Sequence, residues 1–154
     1  MTSGKPITIL VADDDPDDRL LIEDAFLESK LGNKLYFVKD GIELLEYLRH
    51  EGEYANPEVS PRPGIILLDL NMPRMDGREA LVEIKKDPNL KQIPIVVLTT
   101  SKAEEDILRT YDTGVNSFIT KPVTFEGLVD LVRVLTSYWI QIVELPPAEV
   151  MAET

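Results

Sequence analysis

Ile65-Ile66-Leu67-Leu68-Asp69-Leu70-Asn71-Met72-Pro73-Arg74-Met75-Asp76-Gly77 runs four apolar residues into an acid and then into a turn-forming segment. A short apolar run closed in this way reads as a buried strand. Three other runs end alike: one meets Asp13 and Asp14, the next closes on Thr99, and the last stops just before Lys121. In a parallel α/β sheet the strand C-termini share one edge, so these scattered positions converge there. That edge would gather three carboxylates, a hydroxyl and an ammonium, a set suited to a divalent cation and a phosphoryl group.

Amphipathic stretches separate the apolar runs, which is the pattern of repeated βα units. The reading gives strands over residues 7–12, 35–38, 65–69, 95–99 and 117–120. The first helix opens with Asp15 as N-cap and Pro16 at its first position, with Asp17 and Asp18 as acidic residues of the first turn. It is expected to bury Leu20, Leu21, Ala25 and one of Phe26 or Leu27. Asp40 and Glu43 have capping-box spacing ahead of the second helix, and Ser101 and Glu104 repeat it ahead of the fourth. A final helix starting near Thr124 aligns Leu128, Leu131, Val132 and Leu135. The expected fold is a doubly wound, five-stranded parallel sheet with five helices, flavodoxin-like in its winding. Residues 49–64, with Pro57, Pro61 and Pro63, read as an irregular surface loop.

The composition narrows the functions. In 154 residues, 28 Asp and Glu against 16 Lys and Arg give a net charge of −12, which argues against nucleic acid or an anionic membrane as partner. With no cysteine, thiol nucleophiles and zinc-thiolate sites are excluded. No run approaches the ~18 apolar residues of a membrane span, and nothing at the amino terminus reads as a signal peptide, so a cytoplasmic address is expected. One domain over residues 1–145, a tail over 146–154 and no output domain complete the expected organisation.

Four motifs carry a resemblance to a known family: Val-Ala-Asp-Asp-Asp-Pro around Asp13 and Asp14, Leu-Leu-Asp-Leu-Asn-Met-Pro-Arg-Met-Asp-Gly around Asp69, Pro-Ile-Val-Val-Leu-Thr ending at Thr99, and Lys121-Pro122. Together they closely resemble the receiver domain of two-component response regulators, and the spacing from Asp69 to Thr99 and on to Lys121 is similar too. The resemblance implies Asp69 as phosphoacceptor from a histidine kinase. It implies Mg²⁺ held by Asp14, Asp69 and the backbone carbonyl of Asn71, with Asp13 acting through a water. Lys121 and Thr99 would meet the phosphoryl oxygens, and Thr99 and Phe118 would form a switch read on the face of the fourth helix, fifth strand and fifth helix. A full match would also put a cis peptide before Pro122.

Each position has a plainer reading as well. Asp15, Asp17 and Asp18 serve as helix-capping acids, Phe118 fits a core aromatic, Asp76-Gly77 fits a turn with an unusual glycine angle, and His50 reads as a surface residue without a partner. The long 49–64 loop, the Thr-Thr-Ser at 99–101 and the Ser137-Tyr138-Trp139 segment resemble small regulators partnered with phytochrome-type histidine kinases, which implies a bacteriophytochrome as partner. Apolar residues from Tyr138 to Val143 suggest a homodimer contact in the Trp139 region, against the alternative that Trp139 folds back on its own domain. The competing functions are a degenerate receiver acting as a scaffold, and an aspartyl-phosphate phosphatase. The latter wants a second acid two residues past the nucleophile, where this chain has Asn71.

Overall fold

In a computed structural model of the protein, the described residues are 7–29, 32–99, 117–122 and 124–138, and the side chains of residues 99, 117, 118 and 136–138 are left out of the description. Their elements are β1 (Ile9–Ala12), α1 (Pro16–Ser29), β2 (Leu35–Val38), α2 (Gly41–Arg49), a 3-10 turn (Gly52–Tyr54), β3 (Ile65–Asp69), α3 (Gly77–Lys86), β4 (Ile95–Thr99), β5 (Ser117–Thr120) and α4 (Phe125–Tyr138). The expected fourth helix, opening at Ser101, lies outside the described residues, as do Trp139 and the segment after it.

All four strand pairings are parallel and the sheet order is β2-β1-β3-β4-β5. The winding reverses between β1 and β3, the crevice where ligands of such sheets bind. Register decides what meets there. Ala12 pairs with Leu68 and Asp69 with Leu98, while Thr99 pairs with Thr120. Asp13, Asp69, Thr99 and Lys121 therefore leave the sheet at nearly one level.

Both sheet faces are covered, which explains why the central strands read as continuous apolar runs rather than alternating ones. Leu10, Ala12, Ile66, Leu68, Ile95 and Val97 pack with α2 and α3. Their strand neighbours Ile9, Val11, Ile65, Leu67, Val96 and Leu98 pack with α1 and α4. Each such Leu or Ile contributes about 2 kcal/mol by leaving water.

The first helix corrects one expectation: Leu20 faces out and Ile22 takes the inward place, while Ala25 and Phe26 are buried as expected and Leu21 is half-buried against the core. Ile22, Ala25 and Phe26 are buried, whereas Leu20 and Leu27 are 57% and 69% exposed. Two apolar triplets, 20–22 and 25–27, allow more than one inward face. Packing against α4 selects the one that seats Ile22 and Phe26 beside Leu128 and Val132. The 49–64 segment is the expected irregular, largely exposed connection, and it is tied down by side-chain hydrogen bonds. Tyr47 donates its hydroxyl to the Pro61 carbonyl at 2.9 Å, and the buried Ser60 hydroxyl donates to Tyr54 at 2.8 Å. His50 has a partner after all: it caps α2 at φ 56° and its Nε2 meets the Ser60 carbonyl at 2.9 Å. The Lys121–Pro122 peptide is trans.

Gly77 serves a different purpose from the one expected. The positive φ of its loop belongs to Arg74, at 62°. Gly77 starts α3, where a Cβ would lie 2.6 Å from the Asp69 carbonyl oxygen and 2.8 Å from Leu70 Cα, and its N–H donates to the Leu70 carbonyl at 2.9 Å. Both obstacles are backbone atoms of the strand end and cannot swing aside. Gly77→Ala is therefore expected to cost about 1–3 kcal/mol in urea unfolding. An unchanged midpoint would mean that α3 can back away from β3 freely.

Candidate functional site at the carboxyl edge of the sheet

Asp13 leaves β1 fully buried, Asp14 beside it is exposed, and Asp69 ends β3 at 5% exposure. One carboxylate oxygen from each of the three lies within 4.8 Å of the others. Lys121, one residue past β5, enters this acidic pocket. Its Nζ is 3.0 Å from Asp69 Oδ2, 2.9 Å from Asp13 Oδ2 and 2.5 Å from Asp18 Oδ2.

Backbone donors fix the remaining oxygens. The N–H of Asn71 donates to Asp69 Oδ1 at 3.0 Å, and the N–H of Asp15 to Asp13 Oδ1 at 2.9 Å. Asp15 in turn accepts from the Asp17 N–H at 2.9 Å, as an N-cap should.

Charge crowding marks this site. Burial pushes the Asp13 carboxyl above its ordinary 3.8; the Asp15 N–H and the Lys121 ammonium pull it back, and the Asp69 charge adds to the rise. Burial alone would lower the Lys121 ammonium. Hydrogen bonds to Asp18, Asp13 and Asp69 outweigh that and hold it above its ordinary 10.5. Asp13 Oδ2 is the informative atom. It is buried, and its one polar contact among the described residues is the Lys121 ammonium at 2.9 Å. A buried anionic oxygen with an unused lone pair, beside two more carboxylates, is the donor chemistry that a hard divalent cation takes.

The expected site residues divide as follows. Asp13, Asp14, Asp69 and Lys121 come together. Asn71 is exposed, with its N–H on Asp69. Thr99 and Phe118 sit on β4 and β5, Thr99 opposite Thr120 and Phe118 opposite Val97, while their side chains fall outside the description. Asp18 escaped the sequence reading: an acid in a first helical turn looks like a complement to the helix dipole, and here it is also a third carboxylate on Lys121.

A profile of the response regulator receiver domain matches residues 9–133 of this chain. The chain belongs to the response regulator receiver family. It is 42% identical over 146 residues to response regulator Rcp1 of Synechocystis sp., covering 95% of this chain and 97% of Rcp1. Among solved structures it is similar to the phosphorylated cyanobacterial phytochrome response regulator RcpA, with 45% identity and a TM-score of 0.79, covering 92% of this chain and 99% of RcpA. It is also similar to the Mn²⁺-bound form of Rcp1, at 42% identity and a TM-score of 0.76 over 92% of this chain and 99% of that one. The acidic pocket of this response regulator thus fits a divalent cation on its own chemistry, and a relative of the same fold holds one.

The balance of charge sets a pH dependence. With its pKa raised above 10.5, Lys121 stabilises the fold fully below that pH and loses its effect as pH climbs past it. Asp13 acts in the same sense at the acid end: its ionised form costs stability at neutral pH, and the cost disappears as pH falls through its raised pKa toward 3.8. Lys121→Met is expected to lose about 3 kcal/mol at pH 8 in EDTA, by stranding buried carboxylates. Lowering the pH to 5 should narrow that deficit as Asp13 takes up a proton. A deficit that is the same at both values in urea unfolding would rule out charge as its cause.

Proposed function

We propose that this response regulator accepts a phosphoryl group from a histidine kinase onto Asp69, in a Mg²⁺-dependent reaction, and signals by changing its contacts. One observation carries the reading: Asp69 is gripped at one oxygen by the Asn71 N–H and at the other by Lys121 Nζ, at the sheet edge beside Asp13 and Asp14.

An Asp69 oxygen attacks phosphorus in line with the departing imidazole of a phosphohistidine; the P–O bond forms as the P–N bond breaks, and the ring leaves as the neutral base once protonated. Lys121 already holds the attacking carboxylate and is placed to follow the charge onto a phosphoryl oxygen. Thr99, at the end of β4, is the hydroxyl for a second oxygen. Asp14, Asp69 and the Asn71 carbonyl are the candidate Mg²⁺ ligands, with Asp13 one water further out. The ion, when bound, supplies positive charge that offsets the repulsion between the carboxylates and the incoming phosphoryl group.

Thr99 and Phe118 form the switch in this reading, drawing β4 and β5 toward one of two nearly isoenergetic arrangements. Similarity to a phytochrome response regulator over nearly the whole chain supports a phytochrome-type kinase as partner. A homodimer through the face of the expected fourth helix, β5 and α4, with the Trp139 region, is the proposed output contact. A receiver domain over residues 1–145, a tail after it and a cytoplasmic address complete the proposal. Among the described residues no helix is long and apolar enough to cross a membrane.

Incubation with acetyl phosphate and Mg²⁺ is expected to add one phosphoryl mass to the intact chain, and Asp69→Asn or EDTA to abolish the addition. Labelling that survives Asp69→Asn would remove Asp69 as acceptor. No labelling at all would favour a constitutive scaffold, and sustained turnover of nitrophenyl phosphate would favour a phosphatase.

A further inference from the structure

Arg74 holds a left-handed backbone at φ 62°, a conformation that side chains other than glycine adopt at a cost. Strain of this kind persists where surrounding contacts enforce it. Here the enforcing contact is Asp40. Arg74 Nε donates to Asp40 Oδ2 at 2.8 Å and Nη2 lies 2.8 Å from the same oxygen. Asp40 is 1% exposed, and its other oxygen caps α2 by accepting the Glu43 N–H at 2.8 Å.

A second contact backs the first. The Gly41 N–H donates to the Met75 carbonyl at 2.7 Å, and a Cβ on Gly41 would lie 2.5 Å from that carbonyl oxygen. The backbone at 74–75 is thus pressed against the start of α2. The same short loop carries Asn71, whose N–H holds Asp69 Oδ1, and closes where the Gly77 N–H meets the Leu70 carbonyl. Of the charged side chains between Asp69 and Gly77, Asp76 caps α3 and meets Arg78, whereas Arg74 ties the loop across to α2.

We propose that Arg74 is a positioning residue for the cation site: by clamping the β3–α3 loop to Asp40 it fixes Asn71, and through Asn71 the carboxylate of Asp69. This rests on the cation reading given above. The guanidinium acts from outside the acidic pocket, because its partner belongs to α2 and not to the carboxylate cluster. Groups that orient metal ligands in this indirect manner change affinity by about 10- to 100-fold when removed.

Mn²⁺ is the probe, titrated into the full chain and read by the loss of its free-ion EPR signal. Arg74→Asn tolerates the left-handed backbone but lacks the guanidinium, and Asp40→Asn keeps a capping side chain but lacks the charge. Each is expected to weaken Mn²⁺ binding about tenfold with an unchanged circular dichroism spectrum, and Arg74→Lys to recover part of the loss. In the double variant the loss should stay near tenfold, because both substitutions break one clamp. Single variants that bind Mn²⁺ like wild type, or losses that multiply in the double variant, would overturn the proposal. Asp14→Asn separates the two readings: if it binds Mn²⁺ like wild type, the cation site itself is misassigned and the clamp falls with it.

Discussion

The ammonium of Lys121 lets three carboxylates end up in one place. Asp13 and Asp69 are carried to adjacent strand ends by the register of β1 and β3, and Asp18 reaches them from the first turn of α1. Taken out of water without a counter-ion, the buried Asp13 and Asp69 would each oppose folding by several kcal/mol. One lysine with three donors serves all three, at 2.5 to 3.0 Å. The match is incomplete, as the raised Asp13 pKa and its buried Oδ2, met by Lys121 alone among the described residues, both indicate. This residual imbalance has a use, because a site left short of positive charge is one that binds a cation. It also means that any change of charge on Asp69 must alter how Lys121 divides itself among its partners, and β5 is the element Lys121 is attached to.

Around this cluster the fold supplies rigidity more than chemistry. A two-faced core with fully buried β1 and β3 fixes the level at which the strands end. The turn after β3 is then locked from two directions, by the close approach of Gly77 to the strand end and by the seating of residues 74 and 75 on α2. Neither device contributes a group to the acidic pocket. Both restrict where Asn71 can sit, and Asn71 is what touches Asp69 from the solvent side.

The strands were legible because each is an apolar run stopped by a polar residue, and β2, β3, β4 and β5 have the bounds that such stops predict. The same stops gave Asp13, Asp14, Asp69 and Lys121, since a parallel sheet turns strand ends into neighbours. What local pattern could not convey is choice among equivalent faces and pairings over distance. Leu20, Leu21 and Ile22 are equally apolar in sequence, and only α4 decides which of them turns inward. Asp18 and Arg74 are ordinary surface residues until Lys121 and Asp40 are brought to them across the fold. Gly77 looked like a turn glycine and proved to be a clearance between backbones, a constraint that φ alone does not reveal.

The 49–64 segment sits at the other edge of the sheet, before β3 begins, and its ties run to the C-terminal end of α2 through Tyr47 and His50. A long loop costs little extra closure entropy when a few such contacts order it, since the cost grows only slowly with length. Set at the amino-terminal edge, the loop is separated from the carboxylate cluster by the length of the strands. The sequence of this segment can therefore vary without disturbing Asp69, Lys121 or the clamp on the β3–α3 loop. The chemistry and the elaboration of this domain occupy opposite edges of one sheet, and the fully buried strands between them keep the two independent.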